Sequence, residues 1–451
     1  PPAPPPPRHN HPPTSIMPWT PPPPLRAIVP RTNAGTNAAM QLLRRVTQYL
    51  FLSTATRFTM SSAADAASVV LDVADLKNPP YPASDPWLFC VYHKDNYPAG
   101  NPKMEAPKVG NGADFNPDAE YRMYHGSRIP GFPQHPHRGF ETLTATLDGI
   151  IDHADSMGNA ARYGHGDLQW LTAGKGIVHG EMFPLINQDE GNPTKFFQIW
   201  LNLPARSKFA EPAFVMHWGR NIPRFKTADG LGTVTLWVGE VTEPKPLKSL
   251  APPPDSYAAS PDAELAVIFF HLEPGATYKL PLAKNTACNR ALYIVEGTTL
   301  DVNGTVVRKK SIIKTDPTKP TTIHVPADAD SATEVLLLQG NPIGEPVAQY
   351  GPFVMNTQQE IQEAFRDYRS TRFGGWPWPD DDQVWPIHEG RFAKQDGEKD
   401  FAPAKLTESD VTVEPGRGGG GAGAGDAADA ADLQSGAAAG SASEQEPDKE
   451  L

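Results

Sequence analysis

Apolar and polar positions alternate along most of this chain in short runs. In residues 195–203, Phe197, Ile199, Leu201 and Leu203 take turns with Gln198, Trp200 and Asn202. Neighbouring side chains of a strand point to opposite faces, so this period predicts a strand with one face in a core. Residues 85–92, 141–147, 150–153, 167–171 and 177–182 read the same way, with a hairpin signal at Asp148-Gly149. A second series covers 233–241, 265–272, 291–295, 299–302, 305–308 and 335–338, with an Asn303-Gly304 turn. Two sets of short strands without long helical periodicity predict an all-β chain in two units. One helix is expected at about 358–370. Thr357-Gln358-Gln359-Glu360 is a capping box, and Ile361, Ala364, Phe365 and Tyr368 follow at helical spacing. Its apolar stripe is expected to close the C-terminal barrel.

The ends read differently. Residues 1–64 contain no Asp, Glu or Lys, and are Pro-rich up to about Pro30. In 40–52, Leu42, Val46, Tyr49 and Leu50 fall near helical spacing, with Arg44 and Arg45 off that face. The leader is expected to be disordered: either an organellar transit peptide or a segment that nothing reads. Residues 396–451 turn to Gly, Ala and acidic residues and are expected to be a disordered tail. Between the ends, 65–215 and 216–395 are the two expected domains. Residues 94–130, rich in Gly, Pro and Asn, form a long insertion, either a lid or a spacer.

Composition narrows the classes. The net charge of −12 argues against a nucleic-acid surface, which needs clustered Lys and Arg. Cys90 and Cys288 show no paired spacing, so no disulfide framework is expected. No apolar run is long enough for a membrane helix. A monomer is expected, cytoplasmic or nuclear, or organellar (plastid or mitochondrion) if the leader is a transit peptide.

The chemistry is concentrated in 131–183. His135 and His137 are two apart and share a face, as do His179 and Glu181. Strands carrying them side by side would converge three imidazoles and a carboxylate on one point, a donor set for iron, copper, nickel or zinc. A lone histidine is more often an ordinary core or surface residue; two such pairs on apolar strands favour the metal. Glu141 has the same parity as His135 and His137, so it too is a candidate carboxylate. His271, His324 and His388 have no such partner, and no metal is expected in the second unit.

The words His135-Pro136-His137-Arg138-Gly139-Phe140-Glu141-Thr142 and 167–182, Asp-Leu-Gln-Trp-Leu-Thr-Ala-Gly-Lys-Gly-Ile-Val-His-Gly-Glu-Met, resemble the pirin family. The likeness continues through 197–204 and 345–357 and spans about 85–375. It implies two tandem cupin barrels (double-stranded β-helices, or jelly rolls), with iron, or another divalent transition metal, in the first. It also implies that Glu181 rather than Glu141 completes the ligand set His135, His137, His179 and Glu181.

Two functions follow from the resemblance. The first is a quercetin 2,3-dioxygenase-like enzyme using dioxygen on a small aromatic flavonol, with Glu181 taking the substrate hydroxyl proton. The second is a redox-sensing iron protein acting through a protein partner, such as a transcription factor. An open channel to the metal would favour the enzyme.

Overall fold

Each alternating run forms a strand. The computed structural model describes residues 68–107, 116–395 and 397–402. The leader 1–64 and nearly all of the expected tail lie outside the described residues. The strands make two β-barrels of cupin type, each from two facing sheets. In the first barrel one six-stranded sheet runs Ala213–His217, Leu168–Thr172, Phe140–Asp148, Asn192–Asn202, Trp87–Tyr97, Tyr81–Pro82. The facing sheet runs Glu398–Phe401, Phe392–Gln395, Ala160–Gly164, Ile150–Asp155, Ile177–Met182, Gly131–His137. The second barrel pairs a seven-stranded sheet with a four-stranded one.

The alternation in Asn192–Asn202 serves two interiors. Phe197, Ile199 and Leu201 belong to an apolar layer joining the barrels, with Trp170, Trp237, Phe269 and Leu336. There Phe197 lies 5.9 Å from the Trp237 ring and 5.7 Å from Phe269. Gln198 and Trp200 face the other way, into the first barrel. Sequence periodicity led to one buried face; the second barrel covers that apolar face, and the interior of the first barrel takes up the other.

The ends of the folded region cross between barrels. Val70–Asp75 pairs antiparallel with Ser311–Thr315 of the second barrel, although it precedes the first. Phe392–Gln395 pairs with Ala160 to Arg162 of the first. The boundaries 65–215 and 216–395 therefore do not follow sheet membership at either end. Val70–Asp75 adds at the edge of its sheet and Phe392–Gln395 joins beyond Ala160–Gly164 together with Glu398–Phe401; antiparallel pairing needs only a free ladder of N–H and C=O groups, not sequence proximity.

The capping box forms: the Thr357 hydroxyl accepts from Glu360 N (3.2 Å), and Glu360 Oε2 accepts from Thr357 N (2.8 Å). The helix is Gln358–Thr371, and it buries Ile361 and Ala364. Its stripe packs on the hairpin Ala348–Tyr350/Phe353–Met355, with Phe365 and Phe353 rings 4.8 Å apart. That hairpin joins the first barrel through Arg138, whose carbonyl accepts from Val354 N (3.0 Å). The helix is thus stacked beside the first barrel's histidine turn, whereas the stripe alone suggested a plug for the second barrel. Amphipathicity identifies the buried face, not its neighbour.

The described parts of the 94–130 insertion are packed against the barrel. Ala106, Met123 and Tyr124 are buried with Tyr163, Phe183 and Phe196. The Trp-rich segment after the helix, for which sequence patterning offers no account, covers the outer face of the histidine-bearing sheet. Trp378 Nε1 donates to Asp155 O, and Trp385 Nε1 to Ala161 O, both at 2.8 Å. Beneath it the Arg162–Asp152 ion pair is fully covered, with two contacts of 2.7 Å. No helix among the described residues is long and apolar enough to cross a membrane.

Candidate metal centre

Gly131–His137 and Ile177–Met182 pair antiparallel with His135 opposite His179 and Phe132 opposite Glu181. Three residues on the first strand therefore span two on the second. This is a bulge at Pro133-Gln134, where proline has no N–H to lose from the ladder. The bulge turns Phe132 inward with His135, their rings 6.3 Å apart. His137 follows two residues later on the same face.

One ring nitrogen from each of His135, His137 and His179 lies within 4.8 Å of the other two. Ring centres are 4.7 Å apart for His135–His137, 4.5 Å for His135–His179 and 4.9 Å for His137–His179. His137 and His179 are buried, while His135 is half-buried at the rim. Burial lowers all three imidazole pKa values, His135 to about 4, and the neighbouring rings push the same way. The cluster is held neutral, the form that offers lone pairs to a cation.

Hydrogen bonding fits a metal as well. His135 Nδ1 donates to Pro133 O (2.9 Å), which leaves Nε2 bare. His137 Nδ1 and both His179 nitrogens are buried without a hydrogen-bond partner. Unpaired buried polar atoms are unfavourable by about 1–3 kcal/mol each, so three in one place call for a missing ligand. This group can hold a metal ion.

The two candidate carboxylates separate clearly. Glu181 is buried on the inner face, with the Thr144 and Tyr163 hydroxyls 2.8 and 3.2 Å from Oε1 and Gln198 Nε2 2.9 Å from Oε2. Burial raises its pKa, opposed by these hydrogen bonds. Its oxygens fall outside the 4.8 Å set formed by the histidines. Glu141 points away, into the layer between barrels, and accepts from Thr172 Oγ1 and Ser256 Oγ, both at 2.7 Å. The parity argument fails because Gly139, at φ +84°, breaks the chain between His137 and Glu141 into strands of different sheets. Any Cβ at Gly139 would lie 2.0 Å from Val354 O, so the turn requires glycine.

Sequence reasoning missed His153, which stands directly opposite Glu181 on the next strand, its ring 5.6 Å from His179. Its signal was present: Ile150–Asp155 places His153 and Asp155 on alternate positions facing the same interior. Trp200 was read only as part of an alternation. It lies 5.2 Å from the His137 ring, between Phe140 (4.1 Å) and Phe89 (4.3 Å). A separate cavity of about 260 Å³ near Asp148, His165 and Glu190 includes none of the three histidines.

In the second barrel, His271 sits outside the core between Glu334 and Glu273, 3.1 Å from each. His324 binds Thr277 and the Ala276 carbonyl. Both are engaged with protein partners.

Two tandem jelly-roll barrels, one with a histidine cluster able to hold a metal ion, define a bicupin. Comparison with known proteins gives the family. The Pirin model matches residues 112–201, and the Pirin C-terminal cupin domain model matches 267–374. Human Pirin is 33% identical over 266 residues, covering 58% of this chain and 84% of that protein. A Pseudomonas aeruginosa protein named "putative quercetin 2,3-dioxygenase" is 33% identical over 261 residues, covering 58% of this chain and 82% of its own. The chain belongs to the pirin family. The crystal structure of quercetin 2,3-dioxygenase from Acinetobacter baumannii shares the fold at a TM-score of 0.52. It is 24% identical and covers 68% of this chain and 98% of that one.

Proposed function

We propose that this pirin-family protein is an iron-dependent dioxygenase acting on flavonol-type aromatic substrates. In this reading His135, His137, His179 and Glu181 hold the ion. Iron would supply Lewis acidity and a redox couple for dioxygen chemistry. The observation that carries the proposal is the convergence of three neutral imidazoles, with three of their nitrogens buried and unpaired, at a buried point whose rim is half-exposed and aromatic. Phe89, Phe132, His135 and Trp200 are all half-buried there, the surroundings a planar aromatic ligand needs. The name of the Pseudomonas relative supports the same substrate class.

The chain's own residues divide the work. Trp200 and Phe89 would bind the ring system, and Phe132 would exclude water from one side. Glu181, its basicity raised by burial, would accept the substrate hydroxyl proton while Thr144 and Gln198 keep its carboxylate oriented. Metal analysis of the purified protein, followed by oxygen consumption with a flavonol panel, tests this. Iron-loaded protein should consume oxygen with at least one flavonol, and Glu181→Gln should lower turnover per iron by about a hundredfold. Fully loaded protein inert towards every flavonol would sink the enzyme.

A redox-sensing role through a protein partner is the second reading. It is favoured by Arg138, adjacent to His137. Its guanidinium reaches Asp367 on the helix (2.8 Å) and lies 4.5 Å from the Phe373 ring, linking the histidine strand to an outer element.

A further inference from the structure

A further imidazole, that of His153, stands beside the three-histidine cluster on the inner face of the first barrel. His153 is fully buried, and its ring stacks 5.0 Å from Phe214. His153 Nε2 lies 3.2 Å from Asp155 Oδ2. That carboxylate also accepts from the backbone N–H groups of Met157 and Asn159 and from the Asn159 amide, all within 3.0 Å. An acceptor so placed requires the proton on His153 Nε2. Nδ1 is buried and has no hydrogen-bond partner. With the proton on Nε2, the neutral ring presents Nδ1 as its acceptor.

A packing role alone would not leave this atom unpaired, since phenylalanine would stack on Phe214 equally well. The same face holds an unpaired donor, Gln169 Nε2. Its amide oxygen lies 3.0 Å from the Tyr163 hydroxyl, itself 3.2 Å from Glu181 Oε1. An unpaired nitrogen on the residue opposite Glu181 and an unpaired donor linked to Glu181 through Tyr163 suit a group that both gives and accepts hydrogen bonds.

We propose that His153, oriented by Asp155, is a positioning residue of the metal centre, its Nδ1 accepting a hydrogen bond from an O–H group held beside Glu181. The group is a water in the resting protein and the hydroxyl of a bound ligand otherwise. This rests on the metal-centre reading above. Asp155 fixes the ring tautomer, and the cross-strand register fixes its place opposite Glu181.

Cobalt(II) loading tests it without turnover. Wild type, His153→Phe and His153→Gln are stripped, reloaded and followed by the cobalt visible bands and by competition with a chelator. His153→Phe should bind Co(II) about ten- to a hundredfold more weakly, the usual effect of losing an outer partner, with shifted bands. His153→Gln, which keeps an acceptor, should recover part of both. Catechol added to the loaded protein separates the sources: bands shifted before its addition report the water, and a difference only afterwards reports the ligand hydroxyl. Unchanged bands and affinity in His153→Phe, with and without catechol, would overturn the proposal while leaving the three-histidine site standing. Wild type that folds but takes up no Co(II) would instead overturn the metal reading and this proposal with it. If His153→Phe does not fold, nitrogen-15 histidine spectra of the wild type decide. A bare Nδ1 in the metal-free protein that responds to loading supports the assignment, and a protonated or unresponsive Nδ1 refutes it.

Discussion

The two barrels share a fold and differ in what fills them. The second is packed with Val234, Leu236, Ile268, Phe270, Leu292, Ile294, Val335 and Leu337, all essentially inaccessible. At corresponding inward positions the first carries Thr142, Thr144, His153, Gln169, His179 and Glu181, just as deeply buried. An apolar interior gains stability from every residue it hides. A polar interior must satisfy each group or leave it to a ligand. The first barrel therefore gives up apolar burial at its centre for a polar cluster. It recovers support from outside through the apolar layer between barrels and the Trp-rich segment behind its histidine sheet.

The largest expected effect is on the polar side of that contrast. His179→Ala should remove most of the bound metal, because its ring is one of the three donors and both its nitrogens lack a protein partner. Glu141→Ala should leave metal content unchanged, since that carboxylate faces the other barrel. Metal-to-protein ratios after gel filtration check both, and metal loss in Glu141→Ala would mean the two carboxylates have been assigned the wrong way round.

Next comes the layer that couples the barrels. Phe197→Ala removes a fully buried ring from contact with Trp237 and Phe269 and should lower stability by about 3–5 kcal/mol. Chemical denaturation measures it. A cost under 1 kcal/mol would show that the barrels stand independently.

Glu141 gives a smaller, pH-dependent effect. Burial raises its pKa to about 7 despite the Ser256 and Thr172 hydroxyls. The folded state then keeps its proton from about pH 4.5 to 7, where the unfolded chain releases it. Stability should fall as pH rises through that window and level off above it. Glu141→Gln stays neutral, so it should be more stable than wild type at pH 8 by about 1–3 kcal/mol and lose the difference below pH 4.5. Parallel thermal melts across pH reveal the crossover, and a constant offset would place the titration elsewhere.

The smallest effect belongs to the second barrel's surface. The hydrogen bond to Glu334, aided by Glu273, raises the His271 pKa against partial burial. A raised histidine stabilises fully below its unfolded value near 6.5 and loses that contribution as pH climbs through the folded value. With its side chain 43% exposed, solvent screening holds this to about 0.5 kcal/mol or less. His271→Gln should flatten that shallow slope and leave metal content untouched.

The sequence by itself determined the strand pattern, the capped helix and the three histidines, because period-two alternation and spacing by two are local properties of an extended chain. It identified both carboxylates without deciding between them. Glu181 was a candidate from its place two residues after His179, but that Glu141 faces away from the histidines needed the turn at Gly139, which cancels parity counted along the chain. His153 stayed hidden because its importance is a register fact: it faces Glu181 across a ladder, 28 residues away in sequence. The Trp-rich segment was opaque for the same reason. Its tryptophans hydrogen-bond carbonyls of strands some 220 residues earlier and have no pattern of their own. Local periodicity chose which faces are buried, and only tertiary packing chose what each face is buried against.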